Sequence, residues 1–157
     1  MAKQNIVGLD GWIKPPPLDF SYDLTLHEKT FPDEVIPRLQ NATIALTAAI
    51  KINRAAMEAL PNLALINCSG TGTNHIDTDA ARELGITICH VPAQNTDSVA
   101  EHAFALYYAA RRRVVEMHQL AVSGIWARDG VGKYLPKPPR TNSEETLVVI
   151  GYGALGS

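Results

Sequence analysis

Three stretches of this 157-residue chain combine residue types at spacings that could do chemistry. The first is Thr146-Leu147-Val148-Val149-Ile150-Gly151-Tyr152-Gly153-Ala154-Leu155-Gly156, a G-x-G-x-x-G directly after an apolar run. In a strand-turn-helix unit Gly151 permits the tight turn, Gly153 lets backbone approach a pyrophosphate, and Gly156 lets the following helix pack close to the sheet. The pyrophosphate would rest on the positive end of that helix. The plainer reading is a glycine-rich turn between strand and helix. The confirming acidic residue, about 20 positions further on, would fall beyond Ser157.

The second stretch is Ser69-Gly70-Thr71-Gly72-Thr73-Asn74-His75-Ile76-Asp77, after an apolar run that reads as a parallel strand. Ligands of doubly wound sheets bind at the C-terminal ends of strands, and a loop with two glycines exposes amides that can receive a carboxylate or phosphate. The alternative is a turn whose glycines satisfy backbone geometry only. The third stretch, residues 92–102, carries Asn95, Thr96 and Ser98 as turn and cap residues, and Asp97 and Glu101 as charges that complement a helix dipole. Those two carboxylates are poor candidates for an acid-base pair. His75, His90, His102 and His118 with Cys68 and Cys89 match no zinc spacing, and adjacent Cys89 and His90 on a strand point to opposite faces. No metal site is expected, and these residues read as satisfied or solvent-facing.

The elements that must position these stretches follow from periodicity. Short apolar runs at 6–9, 42–47, 63–68, 86–89 and 147–150 alternate with helical patterns, the rhythm of a parallel sheet covered by helices. Asn53 can cap a helix that Pro61 ends, and Asp77 can cap one that Gly85 ends. Ser98-Val99-Ala100-Glu101 reads as a capping box opening one long helix. Val99, Ala103, Leu106, Ala110, Val114, Met117 and Ala121 carry its apolar stripe to Gly124. At about 1.5 Å per residue such a helix spans roughly 35 Å, enough to bridge domains or subunits. From Gly124 to Glu145, with Pro136, Pro138 and Pro139, the pattern lapses into an exposed excursion.

Apolar residues make up 46% and charged residues 19%, so the chain is globular rather than disordered. A net charge of −2 provides no field for nucleic acid or an anionic membrane. The Arg111-Arg112-Arg113 cluster falls within a helical pattern and reads as a solvated face. With two cysteines, no signal-peptide core and no apolar run near the roughly 20 residues a membrane span needs, a cytoplasmic location is expected.

Taken in order, L-P-N-L-A-L-I, G-T-G-T-N-H-I-D, A-A-R-E-L-G-I-T-I-C-H-V-P, T-D-S-V-A-E-H and T-L-V-V-I-G-Y-G-A-L-G resemble the D-isomer-specific 2-hydroxyacid dehydrogenase family, in particular its glycerate dehydrogenase or hydroxypyruvate reductase branch. The resemblance implies an α/β protein. Residues 1–97 would form a flavodoxin-like or Rossmann-like parallel sheet, the N-terminal part of a substrate domain. Residues 98–157 would begin an NAD- or NADP-binding Rossmann domain, with the active site between the two. It implies that Thr71 and Gly72 offer amides to the carboxylate of a small 2-oxo or 2-hydroxy acid, with Asn95 reaching the substrate as in formate dehydrogenases. The phosphate loop would be Gly151, Gly153, Ala154, Leu155 and Gly156. Homodimer contacts would come from 98–145.

The family's catalytic His, Glu and Arg lie well past the phosphate loop, so no residue here takes a catalytic role. The chain departs from the branch at Ala48-Ala49, where a polar pair is frequent, and at His90, where Asn is frequent. Parentage in a chain roughly twice this length is the leading expectation. A non-catalytic substrate-domain binding or dimerisation protein, and a flavodoxin-like domain of unrelated function, are the alternatives.

Overall fold

The computed structural model describes residues 3–11, 13–130, 132 and 140–157, so Pro136, Pro138 and Pro139 of the expected excursion lie outside the described residues. The chain divides into two compact units, Met1–Gln94 and Asn95–Ser157.

The first unit is a five-stranded parallel sheet in the order β2-β1-β3-β4-β5. Its strands are β1 (Gln4–Gly8), β2 (Tyr22–Leu26), β3 (Ile44–Thr47), β4 (Leu65–Cys68) and β5 (Thr87–Cys89). Helices α1 (Val35–Leu39), α2 (Arg54–Glu58) and α3 (Thr78–Glu83) connect them. Alternation within each strand sorts the sheet's two faces. Val7, Ala45, Ile66 and Cys68 face the helices and are sealed by Val35, Leu39, Ala56, Met57, Leu60, Ala80 and Ala81. Ile6 and Leu46 face the other way, where Ile13, Leu18, Phe20 and Tyr22 cover them.

Local chemistry sets the helix ends. The Asn53 side chain accepts from the Ala56 amide and the Asp77 side chain from the Ala80 amide, both at 2.9 Å. Gly85 closes α3 at φ +72°. Strand β2 was absent from the expected set because Tyr-Asp-Leu-Thr-Leu has no continuous apolar run; as an edge strand its middle three residues are exposed.

The second unit corrects three expectations. The long helix is broken: α4 (Thr96–Arg111) is followed by α5 (Val114–Val122) and α6 (Ile125–Asp129). Arg113 sits in the left-handed region at φ +51°, and its amide bonds to the Ala110 carbonyl, which ends α4. The apolar stripe runs across this break with unaltered spacing, so it could not reveal it. The capping box does not form either. The helix starts two residues before Ser98, with Asn95 as N-cap and no side-chain cap hydrogen bond.

Residues 147–150 are not a strand, because a strand needs a ladder and none is made among the described residues. Leu147, Val148, Val149 and Ile150 are all exposed, Ile150 at 98%. What organises this unit is Arg111, whose guanidinium bonds to the carbonyls of Arg140 and Thr141, to Asn142 and to Glu145, and stacks over Tyr107. No helix among the described residues is long and apolar enough to cross a membrane.

Candidate functional site

In the order β2-β1-β3-β4-β5 the chain reverses direction of travel across the sheet between β1 and β3, and their C-terminal ends frame the crevice where doubly wound sheets hold ligands. Asp10 stands there. Its Oδ2 accepts from the Ala48 amide at 2.8 Å and lies 3.2 Å from Thr47 Oγ1. One strand over, β4 ends at Cys68 and releases the glycine loop.

This loop is held through its carbonyl groups. The Ser69 amide continues the ladder to the Thr47 carbonyl at 2.8 Å. Beyond it the Gly70 carbonyl accepts from the Val91 amide at 3.1 Å, and the Thr73 carbonyl from the Ile76 amide at 2.9 Å. Between them the Thr71 carbonyl takes Nδ1 of His90 at 2.9 Å, and the Gly72 carbonyl lies 3.3 Å from the Cys68 thiol. The Gly72 amide has no acceptor among the described residues. Among the described residues a Cβ at Gly72 would contact only Asn74 Oδ1, at 3.4 Å.

Of the residues named from the sequence, Thr71 and Gly72 share this loop. Asn95 belongs to the other unit, where it is the N-cap of α4. Gly151 is at φ +104°, a conformation open to glycine. A Cβ on Gly156 would meet the Gly151 carbonyl oxygen at 2.3 Å, whereas Gly153 faces open space. The amides of Gly156 and Ser157 both bond to the Gly153 carbonyl at 3.1 Å, one turn in place of a helix. Alongside lies an apolar cavity of about 600 Å³ between α4 residues such as Phe104 and Tyr107 and residues 147–150 and 155–157.

Two contacts were missed in the sequence. A Cys–His approach does form, but between Cys68 and His75 Nε2, at 3.7 Å, seven residues apart. Among the described residues no three His, Cys, Asp or Glu side chains group as a metal site would need. The contact of His90 with Thr71 spans 19 residues, and the only sequence signal for it was a His where Asn is frequent.

Comparison with known proteins bears on both units. The model of the D-isomer specific 2-hydroxyacid dehydrogenase catalytic domain matches residues 14–151. Glycerate dehydrogenase of Methylorubrum extorquens is 33% identical over 139 residues, 88% of this chain and 44% of that protein. Hydroxypyruvate reductase of Blautia hydrogenotrophica is 30% identical over 162 residues, 96% of this chain and 50% of that protein. Among solved structures, an NADPH-dependent glyoxylate/hydroxypyruvate reductase from Sinorhizobium meliloti, in complex with NADP and malonate, superposes at TM-score 0.74. It is 20% identical and shares the fold over 99% of this chain and 48% of its own. A 2-hydroxyacid dehydrogenase from Ketogulonicigenium vulgare superposes at 0.66 with 25% identity, over 99% of this chain and 49% of its own. The chain thus spans about half the length of the curated relatives it matches. By the match along most of its length, the chain belongs to the D-isomer specific 2-hydroxyacid dehydrogenase family.

Proposed function

We propose that this chain carries the substrate-side portion, and the opening of the coenzyme-side portion, of a D-2-hydroxyacid dehydrogenase acting on glycerate, hydroxypyruvate or glyoxylate. The observation that carries this reading is the 69–73 loop at the C-terminal end of β4, whose carbonyls are engaged by the protein while the Gly72 amide has no acceptor among the described residues. Thr71 and Gly72 are assigned to the carboxylate of a 2-oxo or 2-hydroxy acid, which amide donors bind as charge-assisted hydrogen bonds. Asn95, at the head of α4, is assigned a second polar contact to the same substrate.

NAD or NADP, when bound, supplies or receives the hydride. Gly151, Gly153, Ala154, Leu155 and Gly156 are assigned to its pyrophosphate. Support comes from the positive φ of Gly151, the open space at Gly153 and the close approach that forbids a Cβ at Gly156. The first unit is read as the N-terminal part of a substrate domain, and residues 98–157 as the start of a coenzyme domain. The acid, base and carboxylate-anchoring Arg of the reaction are assigned to no residue of this chain. Self-association through 98–145 is supported by the helices α4, α5 and α6, which bury none of their residues and expose Phe104, Leu106, Val115 and Val122.

The test is to express the gene in its native reading frame and follow NADH and NADPH oxidation with hydroxypyruvate and with glyoxylate. Coenzyme consumption with either acid is expected. A well-folded product that oxidises neither coenzyme would refute the assignment and leave a binding or dimerisation role.

A further inference from the structure

The direction in which the glycine loop offers its amides is set from outside the loop. At the Thr71–Gly72 peptide the side chain in contact with it is that of His90. A carbonyl only accepts, so at 2.9 Å from the Thr71 oxygen His90 Nδ1 carries the hydrogen and donates. No peptide bond among the described residues is cis, and in a planar trans peptide the N–H points opposite to the C=O. Turning the Thr71 carbonyl onto His90 therefore turns the Gly72 N–H away from it. The flanking peptides are clamped in the same manner, Gly70 by the Val91 amide next to His90 and Gly72 by the Cys68 thiol. Of these donors Val91 contributes backbone and Cys68 is fully buried in the core, whereas His90 is exposed and tied to the loop by its side chain.

We propose that His90 is a positioning residue for carboxylate recognition: by donating from Nδ1 to the Thr71 carbonyl it aims the Gly72 amide at the substrate carboxylate. This role rests on the assignment of Thr71 and Gly72 made above. It also accounts for the chemistry a replacement must keep. Asn places its Nδ2 the same number of bonds from Cα as Nδ1 of His, so a donor survives H90N. Gln overshoots by a methylene, and Phe keeps the ring's bulk without a donor.

The experiment uses the 15N-labelled 157-residue chain with glyoxylate as probe. The His90 ring nitrogens are expected to report a hydrogen on Nδ1, as donation to the Thr71 carbonyl requires. Without ligand, H90A is expected to move the Gly72 amide resonance. It is expected to raise the glyoxylate concentration that half-saturates the Gly72 shift by about fivefold to tenfold, the worth of one neutral hydrogen bond. H90N restores both readouts, and H90Q and H90F do not. An Nε2–H ring, an unmoved Gly72 resonance in H90A, or equal rescue by H90F overturns the role. A wild-type Gly72 amide that ignores glyoxylate overturns the carboxylate assignment and this role with it. The ligand-free comparison then distinguishes that failure from a mistaken hydrogen bond.

Discussion

Thr47 closes β3 where the sheet's crevice opens, and replacing its hydroxyl tests how that crevice is built. The residue is fully buried. Its Oγ1 accepts from the Ile50 amide at 3.1 Å, and its single hydrogen has two acceptors in reach, Asp10 Oδ2 at 3.2 Å and the Ile50 carbonyl at 3.3 Å. T47V keeps the side-chain shape and removes both bonds. Asp10 retains the Ala48 amide at 2.8 Å, so the carboxylate loses one partner and the Ile50 amide is left with none from this side chain. At about 1 kcal/mol for the amide, and about 1 to 2 kcal/mol for a hydroxyl bonded to a carboxylate, T47V should cost about 2 to 3 kcal/mol. T47S keeps the hydroxyl and loses one buried methyl, about 1 kcal/mol. Urea unfolding followed by far-UV circular dichroism measures both, with an unchanged slope showing that the loss lies in the folded state. A T47V loss under about 0.5 kcal/mol, or a larger loss in T47S than in T47V, refutes the reasoning.

Removing either cap, N53A or D77A, should lower stability by about 1 kcal/mol, and N53S or D77N should recover most of it in the same urea experiment. A Cβ at Gly85 would have open space around it, so G85A isolates the backbone strain of φ +72° and should cost about 1 kcal/mol, with G85N milder. Glu144 is held below its ordinary range by the Thr141 amide, then by the Thr141 hydroxyl, which reach its Oε2 at 2.8 and 3.0 Å. A depressed folded value contributes stability above the unfolded value and loses it as pH falls through the folded one. The Asn142–Glu144 turn should therefore hold at neutral pH and open in acid, and the Thr141 amide resonance should titrate below a free glutamate peptide. A midpoint at or above the peptide's would contradict it.

What could be read in advance follows the range of the interactions involved. The caps at Asn53 and Asp77 and the left-handed Gly85 are decided within a few residues, and the structure has all three. The central strands β1, β3 and β4 show as apolar runs, and the edge strand β5 does so through Ile86, Ile88 and Cys89; β2, the other edge, alternates with Asp23 and Thr25 and was not visible. The break at Arg113 was hidden because the apolar period runs across it unaltered, and the contacts of Arg111 with residues about 30 positions away leave no mark in that period. At the site, Thr71 and Gly72 announced themselves through glycine spacing. Their supports, His90 and Cys68, come from neighbouring strand ends and needed the sheet register to be seen. The 147–150 run illustrates the converse, since strand propensity without a partner made no strand.

The strand order has a consequence for how the first unit can be assembled as it is synthesised. β2 lays itself on one edge of β1, β3 on the other, and each later strand on the one before it, with paired residues such as Ile44 and Leu65, or Leu65 and Thr87, about 20 positions apart. Once β1 and β2 have joined, β3 also arrives after a connection of similar length. Each strand after β1 and β2 have paired therefore finds a waiting edge, and none of β3, β4 and β5 needs a strand from later in the chain to join the sheet. Because closure entropy grows slowly, about 0.6 kcal/mol for each doubling of a loop, the connections themselves could lengthen considerably with little effect on this order of growth.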